Sequence, residues 1–108
     1  MASLPSRISE EQVRVFATFS RNTGRWFTVA DLGDSAGVSR AAAKKHVRTL
    51  HTVGLLDVNH SMMSSMYRWA SSTPSGDGAA YLERLEQARK GYAALHDQER
   101  QDEARSAV

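Results

Sequence analysis

Apolar side chains recur along the chain in a helical rhythm that changes twice. Val13, Phe16, Ala17 and Phe19 share one face of a helix. Ser9 stands at its N-cap and Gln12, three residues on, completes a capping box, while Ile8 and Val13 occupy the two positions of a hydrophobic staple. Glu10 and Glu11 suit the positive end of the helix dipole. Arg21-Asn22-Thr23-Gly24 ends the helix with turn chemistry, and Trp26-Phe27 reads as a brief strand. Thr28 caps a second helix, Val29 to Ala36, with Val29, Leu32 and Ala36 inward. Gly37 supplies a tight reversal, and Ser39 caps a third helix from Arg40 to about Thr52, stopped by Gly54.

The rhythm then shortens to that of strands. Leu55 to Val58 and Met66 to Trp69 flank the polar loop Asn59 to Ser65, which predicts a hairpin. Ser71 to Gly78 is rich in Ser, Gly and Pro and reads as a linker. From about Ala79 the helical rhythm returns. Tyr81, Leu85, Ala88, Tyr92 and Leu95 follow at spacings of 4, 3, 4 and 3, a heptad seam. Glu99 and Asp102 fall on the next seam positions, so the polar tail from Asp97 is expected to fray. The pattern predicts a mainly α fold with one small β-hairpin. Its organisation is an N-terminal arm (1–7), a domain (8–70), a linker (71–78) and a C-terminal helix (79–108).

The 108 residues suit one domain, and a chain of this length buries roughly 65% of its unfolded surface. The absence of cysteine excludes disulfides and thiolate metal sites. No apolar run approaches a membrane span of about 20 residues, and the first residues lack the apolar region of a signal peptide. This fits a cytoplasmic, nucleoid-associated protein. The net charge of +2 is unevenly distributed. From Arg21 to Ala70, seven basic residues face three acids, a balance of +4; from Ser71 to Val108, five face seven, a balance of −2. An anionic partner would meet the middle of the chain.

The third helix sharpens that expectation. At about 100° per residue, Ala43, Val47 and Leu50 form a core stripe, and Ala41, Lys44, Lys45 and Arg48 lie opposite. Cations around a small residue suit a helix entering a DNA major groove, roughly 12 Å wide. Ser39 and the first amides of the helix can hold a phosphate. The alternative is a solvated basic face on a helix rich in good helix formers.

The stretch TVADLGDSAGVSRAAAKKHVRTLHTVGLLDV, followed by MYRW, resembles the winged helix-turn-helix bacterial regulators of the ArsR and MarR type. The likeness covers residues 8–70. It implies that helix 40–52 is the recognition helix and that the hairpin is a wing touching the backbone or minor groove. By position it carries over Ser39, Arg40, Ala41, Ala42, Lys44, Lys45 and Arg48 as DNA contacts, with Thr28, His60 and Arg68 added around them. Two departures stand out: Gly33 replaces a better helix former in the second helix, and the wing tip has no Lys or Arg.

The other candidates have simpler readings. His46, His51, His60 and His96 have no helical pairing with one another, so neither metal nor cofactor is expected. His46 borders the recognition face, either meeting a phosphate or taking a solvent-exposed or packed role. Met62, Met63 and Met66 read as partly buried or flexible wing residues, with a sticky patch or ligand-facing surface as the alternative. Trp26 and Trp69 are read as anchoring the core where the strands meet, with an aromatic ligand pocket as the alternative. No catalytic set is visible, so an enzyme is not expected. The C-terminal seam, Tyr81, Leu82, Leu85, Ala88, Tyr92 and Leu95, has two outlets: the first helix of its own chain or a second copy. Two-fold readers of paired half-sites favour the second copy. These expectations converge on a homodimeric double-stranded-DNA-binding repressor, or a plasmid or phage replication or partition regulator, with any effector open. The alternative is a winged-helix protein-interaction module with weak, non-specific DNA affinity.

Overall fold

The computed structural model describes residues 7–60 and 63–106, without the side chains of 104–106. Of the N-terminal arm only Arg7 is among them, and Met62 lies outside the described residues. Six elements follow in order: α1 (Glu10–Arg21), α2 (Val29–Ala36), α3 (Arg40–Thr52), β1 (Leu56–His60), β2 (Ser65–Trp69) and α4 (Gly76–Ser106).

Local chemistry sets each helix start. Ser9 Oγ accepts from the Gln12 backbone N–H, and the Gln12 side chain accepts from the Ser9 N–H at 2.7 Å, closing the capping box. Thr28 and Ser39 cap α2 and α3 by accepting from the amides of Asp31 and Ala42. Gly37 ends α2 at φ 69°, a left-handed conformation that costs glycine little. The departure at Gly33 also has a cause. A β-carbon there would lie 3.2 Å from the Val38 carbonyl oxygen, so the missing side chain lets α2 close against the turn into α3.

α1 lies at the centre. Val15, Phe16 and Phe19 are at most 1% exposed and join Phe27, Leu32, Ala43, Val47, Leu50 and Leu55 in one core. Phe19 meets Phe27 edge-on at 5.5 Å between ring centroids, and Phe16 packs against Trp69 at 5.7 Å. β1 and β2 pair antiparallel, with Leu56 opposite Trp69 and His60 opposite Ser65. Phe27 bridges Tyr67 through two backbone hydrogen bonds of 2.7 and 2.8 Å, so the brief strand at Trp26-Phe27 extends the hairpin by one pair.

α4 departs from the sequence reading in three ways. It starts at Gly76, so the last three residues of the expected linker are helical. A β-carbon at Gly78 would come within 2.5 Å of the Val53 carbonyl oxygen, so only glycine lets the helix begin this close to the end of α3. α4 also continues through Asp97 to Ser106. Good helix formers and a Gln98–Asp102 hydrogen bond at i,i+4 support this stretch. Thirdly, Tyr81 and Leu85, expected at a dimer contact, are 1% and 0% exposed within the chain's own core. The apolar face of α1 needed a cover, and the start of α4 supplies it.

Polar contacts fix that docking. Buried Gln12 donates from Nε2 to the Tyr81 hydroxyl at 2.8 Å, and the Tyr92 hydroxyl donates to the Ile8 carbonyl at 2.9 Å. Further along, His96 Nε2 meets the Glu10 carboxylate and Nδ1 lies 3.4 Å from Glu99. The hydrogen bond to Glu10 raises the His96 pKa above its ordinary 6.5, and His96 in turn lowers that of Glu10 below 4.5.

The stabilisation from His96 is complete below about pH 6.5 and fades as pH rises through the raised value; that from Glu10 is present above 4.5 and fades as pH falls through the lowered one. Thermal melts should therefore show the wild type exceeding His96→Ala most between pH 4.5 and 6.5, with the gap closing as pH rises through the raised His96 value. A gap that does not change with pH would show that the pair adds nothing to stability.

Candidate nucleic-acid interface

The Ser39 cap fixes the rotation of α3, and the three alanines after it have different surroundings. Ala43 is fully buried, Ala42 half-buried and Ala41 exposed. Val47 and Leu50 continue the buried stripe at 2% exposure each. Arg40, Lys44, Lys45 and Arg48 stand on the exposed face with Ala41. Among the described residues none of these four cations forms an ion pair. Four uncompensated charges on little more than two helical turns repel one another, and a polyanion relieves that repulsion.

A cleft of about 350 Å³ opens beside this face. Thr28 borders it from the start of α2; Arg40, Lys44, Arg48 and His51 from α3; Ser64, Ser65 and Tyr67 from the hairpin. Lys45 is exposed but outside the cleft lining. His51 is the residue the sequence reading missed, having weighed it only as a metal ligand. It lies three positions beyond Arg48 and seven beyond Lys44, on the same face, and its ring stands edge-on to Tyr67 at 6.2 Å.

His46 does not border the exposed face. It is 7% exposed and packs inward with the core stripe. Burial lowers its pKa below 6.5, with Glu11 acting in the opposite direction and Lys45 reinforcing it. Its Nδ1 is buried with no hydrogen-bond partner, an arrangement that favours the neutral ring.

Neither a protein-family model nor a curated protein sequence matches the chain. Solved structures do. The Mycobacterium tuberculosis transcriptional regulator MosR superposes with a TM-score of 0.59 at 19% identity, over 91% of this chain and 73% of that one. Sso10a-2, a DNA-binding protein from Sulfolobus solfataricus, gives 0.55 at 15% identity, over 90% and 95%. Bordetella bronchiseptica BpsR, whose DNA binding is regulated by 6-hydroxynicotinic acid, gives 0.52 at 15% identity, over 91% and 77%. The fold is a winged helix.

In this winged helix α3 is the second helix of the helix-turn-helix and β1–β2 form the wing. Two expected wing contacts are engaged within the wing itself. Arg68 pairs with Asp57, its cross-strand neighbour, at 3.4 Å, and its guanidinium lies 4.4 Å from the Trp26 ring centroid. His60 Nδ1 is 2.9 Å from the Ser65 hydroxyl, joining the two strands beside the tip. Both tryptophans are half-buried: Trp69 packs against the core beside Phe16, as expected, while Trp26 carries the Arg68 guanidinium over its ring. Among the described residues no group of three or more His, Asp or Glu could hold a metal ion, and no helix is long and apolar enough to cross a membrane.

The rest of the C-terminal seam remains partly open. Leu82, Ala88 and Tyr92 are half-buried, and Leu95 is 51% exposed. With Ile8 and Gly91 the last three line an apolar groove of about 790 Å³ along α4.

The buried neutral imidazole gives a second pH dependence, opposite in sign to that of His96. A lowered pKa means that its stabilisation is whole above about 6.5 and fades as pH falls. Urea titrations should show the wild type losing stability relative to His46→Leu as pH is lowered from about 7 to 5. Parallel loss in both proteins would show that His46 does not titrate at a cost to the fold.

Proposed function

We propose that the chain is a double-stranded-DNA-binding regulator that acts as a homodimer, each copy inserting α3 into a major groove. The observation that carries this reading is the uncompensated cationic face of α3, open along a cleft shared with α2 and the wing. Ala41 keeps the centre of that face low, so the helix backbone can approach the base edges. Arg40, Lys44, Lys45 and Arg48 release counterions as they meet phosphates. Thr28 and Ser39 mark the starts of α2 and α3, where free amides add to phosphate binding. The descriptions of MosR, Sso10a-2 and BpsR support the same direction.

Pairing through α4 follows from what its seam leaves uncovered. Tyr81 and Leu85 close the protomer core, while Ala88, Tyr92 and Leu95 offer apolar surface further along the helix. A second copy covers that surface and sets two recognition helices against two half-sites. Regulation then follows from occupancy: a dimer on its site excludes other proteins from the same DNA, which is repression when the site overlaps a promoter.

Fluorescence anisotropy on a site selected from random DNA tests the recognition helix. Lys45→Ala and Arg48→Ala should each weaken binding and reduce the salt slope by up to about one for each phosphate left unneutralised. Unchanged binding in both variants rules out α3 as the reading helix. Sedimentation tests the pairing: the wild type should be a dimer and Leu95→Glu a monomer with an intact fold. A wild-type monomer at high concentration refutes it.

A further inference from the structure

We propose that His51 makes DNA binding proton-linked: as the duplex arrives, its imidazole takes up a proton and donates a hydrogen bond to a backbone phosphate beside the end of α3. The inference rests on the DNA reading above and adds a condition under which that site binds best.

Position comes first. His51 is exposed in the last turn of α3, with Arg48 one turn before it and Lys44 two turns before it on the same face. Lys44 and His51 are seven residues apart, which is roughly 10 Å along a helix axis. The major groove is roughly 12 Å wide. A helix that enters with its N-terminal half among the base edges therefore carries His51 back to the edge of the groove, where the phosphates stand.

The surroundings decide what His51 can do there. Its ring stands edge-on to Tyr67 at 6.2 Å, so the hairpin holds one side of it. Among the described residues no side chain hydrogen-bonds to the imidazole, and no carboxylate borders the cleft it lines. The charged groups that share the cleft are the α3 cations Arg40, Lys44 and Arg48. The start of α2 offers Thr28, and the hairpin offers the hydroxyls of Ser64, Ser65 and Tyr67. The acids of the neighbouring elements, Asp31 and Asp34 on α2 and Asp57 on β1, lie outside the cleft lining, and Asp57 is held by Arg68. The anion that completes this site is therefore external.

Imidazole is the side chain that gains its charge near neutral pH. A lysine or arginine here would meet a phosphate at any pH, whereas a histidine meets it in proportion to the protons available. A phosphate favours the charged ring, so by linkage protons favour the complex, and affinity rises as pH falls. His46 sets the lower end of the useful range, since its stabilisation of the α3 packing is whole only above about pH 6.5.

Anisotropy on the selected duplex, measured at about pH 6.5 and about pH 8.5 over a range of salt, tests this. The wild type should bind roughly three- to tenfold tighter at the lower pH, the worth of one partly exposed charge-assisted contact. Its salt slope should be steeper there by up to about one. His51→Gln should lose both effects, and His51→Arg should bind about equally at the two pH values with the steeper slope. Calorimetry in buffers of different ionisation enthalpy should show proton uptake on binding by the wild type and its loss in His51→Gln. The contact of His96 with Glu10 also weakens as pH rises, but it is present in both variants, so an effect of pH on the fold would persist in His51→Gln. His51 is exposed, so both variants should fold, which circular dichroism checks. A pH dependence that survives intact in His51→Gln overturns the inference, as does a wild type that binds equally at both pH values; either result leaves the DNA reading in place. A wild type without affinity for duplex DNA at either pH removes both readings.

Discussion

Burial of α1 is the constraint on which the rest of this fold depends. Val15, Phe16 and Phe19 cannot be left in water, and α2, α3, β2 and α4 all pack against the helix that carries them. The polar counterpart is Gln12. Its carbonyl oxygen accepts from the Ser9 amide and its amide nitrogen donates to the Tyr81 hydroxyl, so one buried side chain serves both the helix cap and the docking of α4. Removing either partner would leave a polar group unsatisfied in an apolar setting, which typically costs about 1–3 kcal/mol. Burial also pushes the Tyr81 phenol up from its ordinary pKa, which keeps the hydroxyl neutral.

That core lets α3 carry a charge pattern that would destabilise an isolated helix. Arg40, Lys44, Lys45 and Arg48 repel one another, and no acid among the described residues pairs with them. The opposing face holds the helix down through Ala43, Val47, Leu50 and the neutral ring of His46. Burying His46 has an energetic cost of its own, since its Nδ1 finds no partner. The two histidines that touch the first turn of α1 through contact or charge, His96 and His46, therefore respond to acid with opposite signs. Protonation favours the contact of α4 with α1 and disfavours the packing of α3.

Much of this was legible in the sequence because it depends on local rules. The caps at Ser9, Thr28 and Ser39, the reversal at Gly37 and the core stripe of α3 all follow from neighbours within four residues. What was not legible depends on partners distant in sequence. The seam spacing of Tyr81 and Leu85 shows that a stripe must be covered but not which surface covers it; their burial against α1 is a tertiary choice. Arg68 reads as a free cation until hairpin register sets it opposite Asp57, eleven residues earlier. Gly33 and Gly78 look like weak helix positions until the carbonyls of Val38 and Val53 are seen close above them. His51 was within reach, since the spacing that grouped Lys44 with Arg48 also includes it.

The division of α4 bears directly on the proposed dimer. A seam committed wholly to pairing would leave α1 uncovered, and one committed wholly to the core would leave nothing to join two copies. Here Tyr81 and Leu85 are buried, Tyr92 is half-buried with its hydroxyl on the Ile8 carbonyl, and Leu95 faces water. The groove lined by Ile8 and Tyr92 is thus continuous with the packing that fixes α4 on α1. A partner seated there would rest on the same rigid unit that carries α3. In such an arrangement the separation of the two recognition helices is set by packed helices, so half-site spacing becomes a property of the fold, with no flexible linker between the pairing surface and the reading surface.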